Sequence, residues 1–175
     1  MKATFLYGRR QIEVDVPDGS VLYESDFPPA AASAEQAALQ AVRSPAGAPP
    51  LADALCECAA ESVVIVVSDV TRPIPYADFL PALLDEIEAA GVPREGILIL
   101  VATGMHRPST EAERIEMFGS HVTENYRIVD HDAMDPDGLV EVEGRTWSGN
   151  RVRINRHFLD ADFRITTGLV EPHFM

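Results

Sequence analysis

Residues 62–67 read SVVIVV, and SDVTRP follows at once over 68–73. An unbroken β-branched run with no polar alternation describes a strand covered on both faces, the usual state inside a parallel sheet. Parallel neighbours need a crossover, and the next stretch supplies one. Tyr76, Phe79, Leu80, Leu83, Leu84, Ile87 and Ala90 recur at spacings of three and four, and Gly91 stands where a helix would stop. Residues 97–102 (ILILVA) form a second buried strand. Thr110-x-x-Glu113 opens another helix as a capping box, which Gly119 is expected to end. Two more strands are expected over 126–129 and 163–167. Strands alternating with helices give an α/β fold: a mostly parallel, Rossmann-like sheet with helices on both faces.

Outward from this centre the pattern weakens. Residues 3–7 and 11–16 flank Gly8-Arg9-Arg10 and read as an N-terminal β-hairpin. Residues 33–43 suit a helix, 44–50 (SPAGAPP) a connector that no helix survives, and 51–60 a short helix. A second hairpin is expected over 139–143 and 151–155, turning at Gly149-Asn150.

Length and charge narrow the function. The 175 residues suit one domain, or one lobe of a larger enzyme. With 14 Lys and Arg against 28 Asp and Glu, the net charge is −14. That balance argues against nucleic acid or an anionic membrane as partner, since both need a basic footprint. The start, MKATFLYGRRQIEVDV, lacks the apolar segment of a secretory leader, and no apolar run approaches a membrane span. Cys56 and Cys58 lie in a helix-like stretch that points them to different faces, so they read as buried or half-buried thiols rather than a disulfide or metal pair. A reducing cytoplasm is the expected location.

Sites in open parallel sheets lie beyond the carboxyl ends of the strands. There the sequence places Asp69-Val70-Thr71-Arg72-Pro73, Thr103-Gly104-Met105-His106-Arg107-Pro108, Asp130-His131-Asp132 and Gly168-Leu169-Val170-Glu171-Pro172-His173. Three of the five histidines fall within these loops. Asp69 is close enough in sequence to hold Arg72, whose planar fork suits a carboxylate or phosphate; equally, Asp69 could only cap a turn. Thr103-Gly104 lets a ligand approach the backbone before His106, and the helix start beyond it offers free N–H groups. Arg72, Arg107 and that helix start are expected to form a positive pocket on an acidic surface. His131 and Asp132 could be a purely structural pair. His121 and His157 read as surface or packing residues. Phosphate-loop, dinucleotide and nucleophile-elbow motifs are absent, and the histidine spacing does not support a zinc site, so no metal ligand set is expected in this chain.

Taken in order, Asp69-Val70-Thr71-Arg72-Pro73-Ile74-Pro75, Ala102-Thr103-Gly104-Met105-His106-Arg107-Pro108, His131-Asp132 and Thr167-Gly168-Leu169-Val170-Glu171-Pro172-His173 resemble the N-terminal domain of the nickel-dependent lactate racemase family. The resemblance implies a racemase or epimerase of 2-hydroxy acids that uses a nickel-pincer nucleotide. A base takes the hydroxyl proton while hydride leaves Cα, and return to either face of the planar 2-oxo acid gives either enantiomer. It implies His106 and His173 as the two acid/base groups; an imidazole near its ordinary pKa of ~6.5 suits that work. Arg72 would grip substrate, Asp69 would orient Arg72 or contact cofactor, and Thr71, Thr103, Gly104 and Arg107 would lie near the cofactor, with His131, Asp132 and Gly168 in support. In the family a cofactor-anchoring lysine and a nickel-ligating histidine follow the Pro-His motif, whereas this sequence stops at Met175. The expectation is therefore an N-terminal α/β lobe (1–175) of a two-domain enzyme, inactive alone and without bound cofactor. Its partners would be the C-terminal domain, a small 2-hydroxy acid and the cofactor-making enzymes. The alternatives are a non-catalytic domain binding a small anion or nucleotide, and a His-ligated zinc hydrolase.

Overall fold

A computed structural model describes residues 1–8, 10–23, 29–30 and 32–171. The chain divides into two compact units, Met1–Ala31 and Ala32–Met175. The first holds the expected antiparallel hairpin, β1 (Lys2–Tyr7) and β2 (Arg10–Asp15), with Phe5 opposite Ile12.

The second unit is built on β3 (Val63–Ser68), β4 (Ile97–Ala102), β5 (Arg127–Asp130) and β8 (Phe163–Thr166), all parallel, in the order β5-β4-β3-β8. The β-branched run explains why this sheet is central. Val63, Ile65 and Val67 face one core with Ile97, Ile99 and Val101, while Val64, Leu98 and Leu100 face another. The first core is closed by α2 (Leu51–Glu57), α3 (Tyr76–Ala89) and α4 (Glu111–Asn125). Helix α3 carries Pro81 in its interior yet buries Leu80, Leu83, Leu84 and Ile87. Burial at roughly 1.5–3 kcal/mol per side chain outweighs the ~3 kcal/mol cost of an interior proline. Helix α1 (Ala34–Arg43) starts at a Ser33–Gln36 capping box, and Arg43 reaches Glu86 of α3 at 2.5 Å. The opposite sheet face is covered more thinly, by Phe158 of the five-residue α5 (Arg156–Asp160) and by Ala161. The antiparallel pair β6 (Leu139–Arg145) and β7 (Arg151–Asn155) is the expected second hairpin, with an irregular register between Glu141 and Arg145.

Three local readings need correction. Gly119 (φ +79°) does not end α4; it kinks the helix, which resumes to Asn125 because Met117, Phe118 and Val122 are all buried on the same core. The helix after Pro50 ends at Glu57 rather than residue 60, and Ala59 takes a left-handed φ of +48°. Cys56 and Cys58 are exposed free thiols, because Leu55 takes the inward face of this short helix. Among the described residues no helix is long and apolar enough to cross a membrane.

Candidate active site

Sheet register brings the loops together. Ser68 lies opposite Ala102, Val66 opposite Thr166, and Val101 opposite Asp130, so β3, β4, β5 and β8 end at nearly one level. Residues far apart in sequence then become neighbours one step past the strands.

The closest pairing is between Asp69 and His106. Asp69 is buried, at 7% exposure, and its Oδ2 lies 2.5 Å from His106 Nδ1. Its Oδ1 accepts from the Thr71 hydroxyl at 2.5 Å and the Thr71 N–H at 3.2 Å. Burial pushes this carboxyl up, but the bonds from Thr71 and His106 together outweigh it and hold Asp69 below the ordinary carboxylate range. With Asp69 ionised, the contact assigns the imidazole proton to Nδ1 and leaves the Nε2 lone pair free. The His106 side chain is 58% exposed, so the ring is gripped on one edge and open on the other. The turn that carries it closes through His106 N–H to Thr103 C=O at 2.9 Å, with Gly104 in the left-handed region at φ +59°.

The other expected site residues divide into several groups. Arg72 is not held by the Asp69 side chain. Its guanidinium faces Glu171 at 3.7 Å, since Asp69 has already spent its oxygens on Thr71 and His106. Arg107 is closed onto Glu113 by two bonds of 2.6 and 2.8 Å, and Glu113 also accepts from the Thr110 N–H. The side-chain bond from Arg107, reinforced by Thr110, pulls the Glu113 carboxyl down to about 2. The expected positive pocket of Arg72, Arg107 and a free helix start is therefore largely neutralised: the capping glutamate also serves as the arginine's partner. Thr71 and Thr103 use their hydroxyl protons inward, Thr71 on Asp69 and buried Thr103 on the His131 carbonyl. His131 and Asp132 do not bond to each other; His131 Nδ1 meets the Asn155 amide at 3.1 Å and Asp132 accepts from Met134 N–H. Gly168 lies in open space, with no atom within 4 Å of an added Cβ. His173 lies outside the described residues. His121 is exposed beside Asn125 and His157 is half-buried, its N–H bonded to Asn155.

Three residues take roles that the sequence reading did not assign them. The buried Tyr76 hydroxyl accepts from Ser68 N–H at 2.6 Å and bonds Thr167 Oγ1 at 3.0 Å, and Thr167 in turn donates to Val66 C=O. It ties the end of β3 to the end of β8. Asp130 accepts from Ser109 N–H and from Arg114, fixing the loop after His106. Asn155 orients His131. Tyr76 carried only a core signal in the sequence, at the start of a helix face. Two clefts flank His106. One, of about 250 Å³, is lined by Asp69, Thr71, Arg107 and Ser109; the other, of about 120 Å³, by Gly104, Pro108, Asp130 and His131.

The lactate racemase N-terminal domain model matches residues 7–175. The chain belongs to the lactate racemase N-terminal domain family.

That match includes all four strand-end loops. The lactate racemase of Thermoanaerobacterium thermosaccharolyticum is 34% identical over 172 residues, covering 96% of this chain and 39% of that protein. The lactate racemase of Lactiplantibacillus plantarum is 39% identical over 113 residues, or 65% of this chain and 26% of that protein. The chain thus spans well under half the length of these relatives. Among solved structures, the lactate racemase apoprotein from T. thermosaccharolyticum superposes with a TM-score of 0.78 at 32% identity, over 99% of this chain and 40% of that one. A Thermotoga maritima protein shares the fold at a TM-score of 0.51 and 18% identity, over 67% of this chain and 32% of its own. As a lactate racemase N-terminal domain, the chain has the α/β sheet and hairpin that the sequence pattern implies.

Proposed function

We propose that this chain is the N-terminal catalytic lobe of a 2-hydroxy-acid racemase or epimerase, working within a longer two-domain protein. The observation that carries the reading is the Asp69–His106 pair. An ionised, buried carboxylate holds an exposed imidazole in one tautomer, at the end of the sheet where ligands bind. His106 Nε2 accepts the substrate hydroxyl proton in one direction and returns it in the other. Asp69 stabilises the imidazolium formed in between by remaining charged. His173 serves the second enantiomer, whose hydroxyl lies in another direction. Arg72 takes the substrate carboxylate in exchange for its long contact with Glu171, which at 3.7 Å and at two half-exposed side chains is a weak one.

The family resemblance implies a nickel-pincer nucleotide, and the loops around His106 leave room for it. The space above Gly104 and Gly168 is open to a flat group, with no atom within 4 Å of either added Cβ. Gly104, Thr71 and Arg107 would border the nucleotide, with Asp69, His131, Asp132 and Gly168 around it, while buried Thr103 would act only by bracing the turn that carries Gly104. The chemistry such a group would supply is a hydride acceptor for substrate Cα. The chain's own residues hold the proton, orient the carboxylate and shape the cleft.

The test is racemisation of a panel of 2-hydroxy acids by the full-length protein expressed with the cofactor-making enzymes. Loss of turnover in His106→Ala is expected. Wild-type turnover in that variant would remove the role given to His106.

A further inference from the structure

We propose a second ligand site, for a flat aromatic monocarboxylate, in the recess on the thinly covered face of the sheet. The recess borders the nucleotide surroundings proposed above at Gly104 and His131, but its apolar walls and Arg153 lie outside them. The recess measures about 390 Å³, within the roughly 300–1,000 Å³ range of small-molecule sites. Its walls are mostly apolar, with Val66 and Leu100 from the sheet, Ile154 from β7 and Phe158 from α5. The sheet's other face is filled by three helices, whereas here, among the described residues, Phe158 of α5 and Ala161 pack on the sheet and Ile154 of β7 borders the recess, so apolar surface remains accessible. Apolar walls with an aromatic side chain suit a ring.

Two donors border this apolar volume. Arg153 lines it and forms no ion pair among the described residues. Glu141, its register partner on β6, is engaged with Arg151 at 3.4 Å. Arg43, Arg94, Arg107 and Arg114 each sit on a carboxylate, and a guanidinium without one among the described residues, bordering an apolar wall, can take an anion there. His131 supplies the second donor. Asn155 Oδ1 accepts from His157 N–H at 2.9 Å, so the Asn155 NH₂ is the group that meets His131 Nδ1 at 3.1 Å. An NH₂ only donates, so Nδ1 must accept, and the neutral ring carries its proton on Nε2 as a donor. One planar cation, one ring N–H and an apolar pocket together match a carboxylate on an aromatic ring. A phosphate would leave the apolar walls unused, and a neutral hydrocarbon would leave Arg153 unpaired. Gly104 and His131 line both this recess and the small cleft beside His106, whereas neither Asp69 nor His106 lines the recess.

Calorimetric titration of the full chain with benzoate tests this, with acetate, inorganic phosphate and cyclohexanol as comparators. Benzoate should bind saturably. The three comparators, and benzoate with the exposed-residue variant Arg153→Gln, should each bind about tenfold weaker or worse, the loss of a charge-assisted bond or of the apolar contact. His106→Gln should leave benzoate affinity within about twofold, because His106 does not line the recess. A non-saturating response to benzoate, unchanged affinity in Arg153→Gln at an unchanged melting profile, or loss of binding in His106→Gln would each overturn the proposal.

Discussion

Replacing Asp69 with asparagine isolates what the carboxylate does for His106. The substitution keeps the side-chain size at a site that is only 7% exposed, so the loop has no new volume to accommodate. The Thr71 hydroxyl and N–H can still donate to the amide oxygen. That leaves the NH₂ facing His106, where the ring nitrogen must now accept, and the free proton moves to Nε2. The nitrogen that should act as base then carries a proton. Losing a hydrogen bond to a charged group alone is worth about 1.5–3 kcal/mol, or roughly 10–150-fold in rate. Holding the wrong tautomer can cost up to ~10⁴-fold in a related Asp–His arrangement. We therefore expect kcat for hydroxy-acid racemisation in the cofactor-loaded, full-length protein to fall at least about tenfold, with KM little changed. Thermal unfolding should shift only slightly, since both Thr71 bonds persist. Turnover within about threefold of wild type would refute the tautomer argument. A large loss of stability would assign Asp69 a structural role instead.

Three other outcomes follow from the same geometry. Tyr76→Phe keeps the ring against Phe79 and Phe118 but strands the Ser68 N–H, so urea unfolding should show a loss of about 1–3 kcal/mol; a change under ~0.5 kcal/mol would contradict the bridge between β3 and β8. Gly96→Ala would bring a Cβ to 2.1 Å from the Glu61 carbonyl oxygen and should destabilise clearly, whereas Gly168→Ala meets nothing and should leave the melting temperature alone. Equal effects of the two in a thermal melt would contradict the packing. Burial, aided by the bond to Glu88, raises the Tyr126 phenol from 10.0 to about 12. The folded state therefore holds this proton more tightly, and its contribution is present below pH 10 and lost as pH rises toward 12. Tyr126→Phe should lack this component of the stability loss, and parallel pH profiles for the two proteins would contradict it.

The parallel sheet was legible because its strands are nearly uniform in composition. Val63–Ser68 and Ile97–Ala102 differ little from the bounds that the apolar runs imply, since burial on both faces leaves no alternation to misread. The kink at Gly119 was not legible. A left-handed glycine usually ends a helix, and only the tertiary burial of Val122 carries α4 past it. Helix α5 is short and lacks a buried residue of its own, so no periodicity announced it. In the site, His106 was visible from its place after a strand. Its partner was not: Asp69 seemed to belong with Arg72, three residues away, until the Ser68–Ala102 register put the β3 and β4 loops side by side. The neutralisation of Arg107 has a similar origin, because Glu113 answers both the helix start and the arginine. Sequence spacing identifies groups able to interact, whereas sheet register and competition for the same oxygen atoms select the pairs that form.

In the proposed function, His106, held by Asp69, moves the substrate hydroxyl proton. The most direct measurement follows D-lactate formation from L-lactate, and the reverse, by the cofactor-loaded full-length protein and its His106→Ala variant. Interconversion is expected from the wild type and should be lost in the variant, with the fold intact by circular dichroism. Undiminished interconversion by the variant, in both directions, would contradict this role for His106.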